Sequence, residues 1–182
     1  MNSLEKVADG LDWIIEHIAR VTAWSALALV AIMAFNVLLR YFFRTGSVAM
    51  QEMEWHLMAV LALLCISYST LKDGHVQVDV LYRQFPPRVQ RIIHFISCLL
   101  ILAVAIIIFR LSIPYVTQSY NIGERSPDPG GLGQRWIIKA MIPAGFALLF
   151  VQSFAALLRA LVSMLTGRQL ATRDDRGAEH AA

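Results

Sequence analysis

Charge is missing from long parts of this 182-residue sequence. Residues 21–39, 55–71, 92–109 and 140–158 contain no Asp, Glu, Lys or Arg. Only 16% of the chain is charged while 57% is apolar, too little charge to cover a soluble domain of this length. Each charge-free run is about as long as a helix needs to cross a hydrocarbon core of roughly 30 Å. A backbone in lipid must satisfy its own hydrogen bonds, so the runs predict helices. They do not alternate apolar with polar residues, which excludes the strands of a membrane barrel. The sequence therefore predicts an all-α integral membrane bundle of four transmembrane helices.

Other absences narrow the chemistry. The two cysteines, Cys65 and Cys98, form no CxxC pair and no zinc spacing, and both sit in apolar runs as small buried hydrophobes. Residues 1–20 hold four acids against two bases, whereas a secretory signal peptide needs a basic start, so the first run is expected to be retained. The net charge of +3 encodes membrane orientation rather than nucleic-acid binding. No Asp, Glu, Lys or Arg falls inside the four runs, no internal repeat is visible, and no paired helix breaks suggest a transport path. The polar groups at depth are Asn36, Ser67, Tyr68, Ser97, Ser112, Gln152 and Ser153, each able to bond within or between helices. No cofactor is expected. The main alternative is the membrane anchor of a redox complex, with haem held between histidines. His56 and His94 start helices two and three from opposite membrane faces, about a hydrocarbon thickness apart, which one haem cannot bridge. A stand-alone small channel is a third option.

Orientation follows from Lys and Arg. Ten lie on the side of the termini and the second connection, and six on the side of the first and third connections. The excess places both termini in the cytoplasm. Residues 1–20 are expected to form an amphipathic lead-in helix. Leu4, Val7, Leu11, Ile14, Ile15 and Ile18 line one face of it, and Glu5, Asp9, Asp12 and Glu16 the other. That acidic face argues against electrostatic binding to anionic lipid, so the segment packs on protein or extends helix one. The four-helix domain covers 21–166, and a polar tail, expected to be disordered, covers 167–182. Between helices two and three, Gly74 stops helix two. Asp79 caps a short interfacial helix that Pro86 and Pro87 end. The third connection, dense in glycine and proline from Tyr120 to Arg135, excludes a regular element, and loops of this length are either functional or disordered.

The informative residues therefore stand at helix ends. Arg40 closes helix one while Glu52 and Glu54 open helix two on the same side. Two readings stand for these charges, and for Lys139: an Arg–Glu pair across the short turn, or snorkelling outward into headgroups. Trp24, Trp55 and Trp136 lie near helix ends, where indoles prefer the headgroup region. Pro143, in the first turns of helix four, kinks the helix or sits where a missing donor is harmless.

Three ordered segments carry a resemblance. The first is Phe35-Asn36-Val37-Leu38-Leu39-Arg40-Tyr41. The second runs from Gln51-Glu52-Met53-Glu54-Trp55-His56 to Asp73-Gly74-His75-Val76-Gln77-Val78-Asp79. The third is Gly130-Gly131-Leu132 with Arg135-Trp136-Ile137-Ile138-Lys139, then Ile142-Pro143-Ala144-Gly145-Phe146 and Gln152. In this order they resemble the small, Q-type membrane subunit of tripartite ATP-independent periplasmic (TRAP) transporters. The resemblance implies a non-catalytic subunit that supports a large M-type membrane subunit. That large subunit takes up an organic acid, delivered by a periplasmic solute-binding protein, with a sodium gradient. It implies membrane lipids and those two proteins as partners. Asn36, Arg40, Glu52, Glu54, Trp55, Gly74, His75, Asp79, Trp136, Lys139, Pro143 and Gln152 then become candidate subunit-interface or structural residues. Glu124, Arg125 and Arg135 of the third connection become candidates for docking the binding protein. The Gly-Gly-Leu loop resembles a branch associated with mannitol or chloroaromatic compounds, several of whose members handle 2-oxo acids. That branch has proline after the leucine, where this chain has Gly133.

Overall fold

The computed structural model describes residues 3–72 and 85–166. Among these the chain is helical, with no strand. Helix α1 spans Ser3–Phe43, α2 Val48–Leu71, α3 Pro87–Asn121 and α4 Trp136–Thr166. All four are long and apolar enough to cross a membrane. The expected interfacial helix, with Gly74, His75 and Asp79, and the polar tail lie outside the described residues.

Two helices run past their charge-free stretches. The lead-in segment and the first span are one continuous helix of 41 residues, about 61 Å at 1.5 Å per residue. Nothing between Arg20 and Val21 breaks it, because a charge is not a helix stop. Its end comes at Arg44, whose φ of 52° takes the left-handed cap conformation. Ser47 then caps α2, its hydroxyl accepting from the Met50 amide at 3.4 Å. Helix α3 begins with Pro87 at its first turn, where no donor is lost. It continues through Arg110 and Pro114 and stops only at Gly123, φ 58°. There the Gly123 amide donates to Tyr120 O at 3.0 Å and the Glu124 amide to Ser119 O at 3.1 Å, a Schellman closure. The irregular connection is thus shorter than the charge pattern suggests, covering residues 122–135.

Helix α4 is the central element. It packs along α3 and α2 and touches α1 to a lesser degree, while α1 packs mainly on α2. Helix α3 buries Cys98, Ala105, Ser112 and Ser119. They recur every seven residues, the period of a seam between two antiparallel helices. Gly145 of α4 meets the α2 backbone. A Cβ there would lie 2.9 Å from the carbonyl carbon of Leu63 and closer still to its oxygen. Membrane helices gain packing by such close approach, since lipid offers no hydrophobic drive between them.

The interior polar groups divide in two. Ser67 and Ser112 donate to carbonyls three residues earlier, and Asn36 Nδ2 donates to Glu54 Oε1 at 3.2 Å. Gln152 Oε1 and Ser153 Oγ are buried with no hydrogen-bond partner among the described residues.

Candidate functional site

The candidate site is the end of the bundle where the start of α2 and the 122–135 loop meet. Glu52, the fifth residue of α2, is 2% exposed. Its carboxylate accepts from the Ser126 hydroxyl, from the Leu132 amide at 2.5 Å and from Arg135 Nη2 at 3.1 Å. One ionised group thus holds the loop at three points, with charge-assisted bonds of the stronger kind. The loop is shaped to reach it. Gly131 passes so close that a Cβ would sit 2.5 Å from Ser126 Oγ and 2.9 Å from Glu52 Oε2. Gly130 at φ 81° and Gln134 at φ 58° supply left-handed corners. Inside the loop the Ser126 amide donates to Leu132 O at 3.1 Å and the Gly131 amide to Asp128 O at 3.0 Å.

A second carboxylate ties the loop to α3 and α4. Glu124 accepts from Lys139 Nζ and from the Ser119 hydroxyl, the latter at 2.6 Å. Its carboxyl is held below the usual carboxylate value, first by the Lys139 bond and then by Ser119, against a smaller opposing effect of desolvation. The ammonium of Lys139 also lies 4.2 Å from the centre of the Tyr115 ring, a cation–π contact. Tyr120 meets Trp136 edge to face at 5.4 Å.

Beside this latch an open hollow of about 470 Å³ is lined by Tyr120, Gly123, Arg125, Gly133, Gln134 and Trp136. The three candidate docking residues therefore differ in position. Arg125 is exposed at the hollow, while Glu124 and Arg135 are engaged in holding the loop. Arg40 is exposed and makes no ion pair among the described residues; Glu52 takes Arg135 instead, and Glu54 takes Asn36. Trp55 is 61% exposed, as is Trp24 at 70%. Lys139 is paired with Glu124 rather than extended into solvent. Pro143, inside α4, withholds a donor from the carbonyl of Lys139, four residues earlier.

The opposite end carries its own charged layer. Asp12, fully buried, accepts from Arg159 Nη2 at 2.5 Å, and Lys72 pairs with Glu16 at 3.1 Å. Asp12 was expected on the solvent face of the lead-in segment. It lies instead on the packed face with Ile15, Ala19 and Thr22, because Arg159 neutralises it there. Sequence spacing held that signal, since 12, 15, 19 and 22 follow the helical repeat. Arg159 and Ser126 left no comparable mark, and Gly131 and Gly145 stood out only within the segments that carry the resemblance. Among the histidines, His17 stacks on Trp13 at 5.5 Å, His56 Nδ1 lies 2.5 Å from Glu52 O, and His94 Nε2 lies 3.7 Å from Cys98 Sγ. His75 and His180 lie outside the described residues. Among the described residues no cluster of His, Cys, Asp and Glu has the makings of a metal site.

Apolar walls, polar latches at both ends and a small-residue seam define a polytopic helical membrane protein. Residues 29–163 match the family of tripartite ATP-independent periplasmic transporters, DctQ component, and the chain belongs to that family. It is similar to the C4-dicarboxylate TRAP transporter small permease protein DctQ of Pseudomonas aeruginosa, with 36% identity over 66% of this chain and 61% of that protein. It is also similar to a putative TRAP transporter small permease protein of Haemophilus influenzae, with 33% identity over 58% of this chain and 65% of that protein. In both cases the match spans somewhat less than two thirds of the relative's own length.

Proposed function

We propose that this chain is the non-catalytic small permease subunit of a TRAP transporter, scaffolding a large M-type subunit in the bacterial inner membrane. In this reading both termini are cytoplasmic. The loop of residues 122–135 faces the periplasm, and the assembly takes up an organic acid with a sodium gradient. The dicarboxylate in the name of the Pseudomonas relative supports an acidic solute. The observation that carries the reading is the double latch. Glu52 and Glu124 bind the loop to α2, α3 and α4, so the bundle is braced at the end where a solute-loaded protein would arrive. A braced, outwardly apolar body suits a static support rather than a moving carrier. Docking of the periplasmic solute-binding protein falls to Arg125 at the open hollow, with Glu124 and Arg135 holding the loop in shape.

The test is reconstitution. Proteoliposomes carrying the large subunit with this chain, plus the binding protein and a sodium gradient, should accumulate solute. Omitting this chain should remove most uptake. Full uptake by the large subunit alone would refute the scaffold role. Arg125→Glu should raise the binding-protein concentration needed for half-maximal uptake several-fold while both membrane subunits still co-purify. Unchanged kinetics would exclude docking at Arg125.

A further inference from the structure

Arg110 is a charge inside a membrane helix. Helices α3 and α4 run antiparallel. Arg91 Nη1 reaches Ser163 O at 3.3 Å near one end, and Lys139 covers Tyr115 near the other. Arg110 lies five residues before Tyr115, about 7.5 Å deeper than the Lys139 layer at 1.5 Å per residue. It is exposed, and it has no hydrogen-bond or ion-pair partner among the described residues. A guanidinium stays protonated, and at such depth charged groups normally face protein or water and find a partner.

The surroundings define the face it occupies. Cys98, Ala105, Ser112 and Ser119 turn toward α4, and Arg110 stands on the opposite side of the helix. Ile106, Ile107 and Ile113 flank it, 43%, 56% and 45% exposed. Pro114, also exposed, lies four residues on and has no N–H to give to the carbonyl of Arg110. One patch thus shows a cation that needs an acceptor and a carbonyl deprived of its helical donor. Snorkelling to a lipid phosphate would serve the cation only, since a phosphodiester donates nothing. A protein side-chain pair serves both.

We infer that the outer face of α3 centred on Arg110 is the seat of the large transport subunit, which sets a carboxylate against the guanidinium and a hydroxyl or amide donor against the freed Arg110 carbonyl. This rests on the scaffold reading above and adds the face and the chemistry of the contact.

The experiment places a photo-crosslinking residue at Ile107 or Ile113, with Leu27 of α1 as the control face, in the full chain co-expressed with its large subunit. Ile107 and Ile113 should trap the large subunit. Arg110→Leu should cut the co-purified large subunit at least ten-fold, and Arg110→Lys should restore part of it. Phospholipid adducts alone at Ile107 and Ile113, or undiminished co-purification of Arg110→Leu, would overturn the inference. Trapping from Leu27 only would overturn it while leaving the scaffold reading intact. No trapping from any face, with no co-purification, would sink both. If Arg110→Leu fails to accumulate, the crosslinking, done with Arg110 in place, decides alone.

Discussion

The carboxylate of Glu52 accepts the backbone amide of Leu132 at 2.5 Å across 80 residues of sequence. That bond joins the start of α2 to the connection before α4, two segments with no local reason to meet. The same carboxylate takes the Ser126 hydroxyl and Arg135, so a single side chain holds the loop at three points.

Removing the latch should therefore free the loop while sparing the helices. Glu52→Ala leaves the Leu132 amide, Ser126 and Arg135 without their acceptor, and buried donors without partners are costly. Cleavage by a protease within residues 125–134 should rise at least several-fold, with helix content by circular dichroism unchanged. Gly131→Ala should act in the same direction while Glu52 stays intact, because its methyl group would press on Ser126 Oγ and Glu52 Oε2. Equal protection of wild type and both variants would show that the loop is held by other means.

The Glu124 clamp predicts a pH response. Its carboxyl lies below the ordinary value of 4.5 in the folded protein. A lowered acid stabilises the folded form above the unfolded value and loses that contribution as pH falls through the folded value. Protection of the loop should thus hold from neutral pH down to about 4.5 and decline only below it. Glu124→Gln, which keeps the Ser119 bond but not the charge facing Lys139, should flatten the part of the decline that Glu124 causes. The comparison is protease protection of wild type and Glu124→Gln across pH 3 to 7. Superimposable curves would assign the titration to another group.

The helices were legible from charge because hydrocarbon forces it: a run without Asp, Glu, Lys or Arg has few other places to go. Their ends were less so. Arg20 and Arg110 mark changes in composition, yet neither halts a helix, and the true stops are the left-handed corners at Arg44 and Gly123. Partner choice was harder still. Glu52 has Arg40 nearby in sequence, but its cation comes from Arg135, 83 residues away, because α4 packs beside α2. Gly145 looked like any small residue in an apolar run until the Leu63 backbone was placed against it.

At the far end, Asp12 and Arg159 should behave as a buried pair. Breaking it leaves one charge uncompensated, at a cost of about 3–5 kcal/mol, whereas replacing both by apolar residues is often neutral. Arg159→Leu and Asp12→Leu alone should each lower the melting temperature of the detergent-solubilised protein markedly. The double variant should recover most of the loss. Additive losses in the double variant would mean that the two side chains act independently and that the pair does not anchor α1 to α4.

The close approach of α4 to α2 at Gly145 gives a direct packing test. Gly145→Ala puts a methyl group within 2.9 Å of the Leu63 carbonyl carbon, and the opposing atoms are backbone, which cannot swing aside as a flexible side chain would. Helices α2 and α4 must separate to admit it. That loosens contacts along their shared length and strains the loop latch, because Glu52 rides on α2 and Arg135 immediately precedes α4. Overpacking of this kind costs about 1–3 kcal/mol. The melting temperature should fall by several degrees for alanine and further for valine, and loop protection should fall in parallel. Gly10, which has open space where a Cβ would go, is the control: Gly10→Ala gains helix propensity without overpacking and should lower neither quantity. A Gly145→Ala protein as stable as wild type would show that α2 and α4 are not held at this separation.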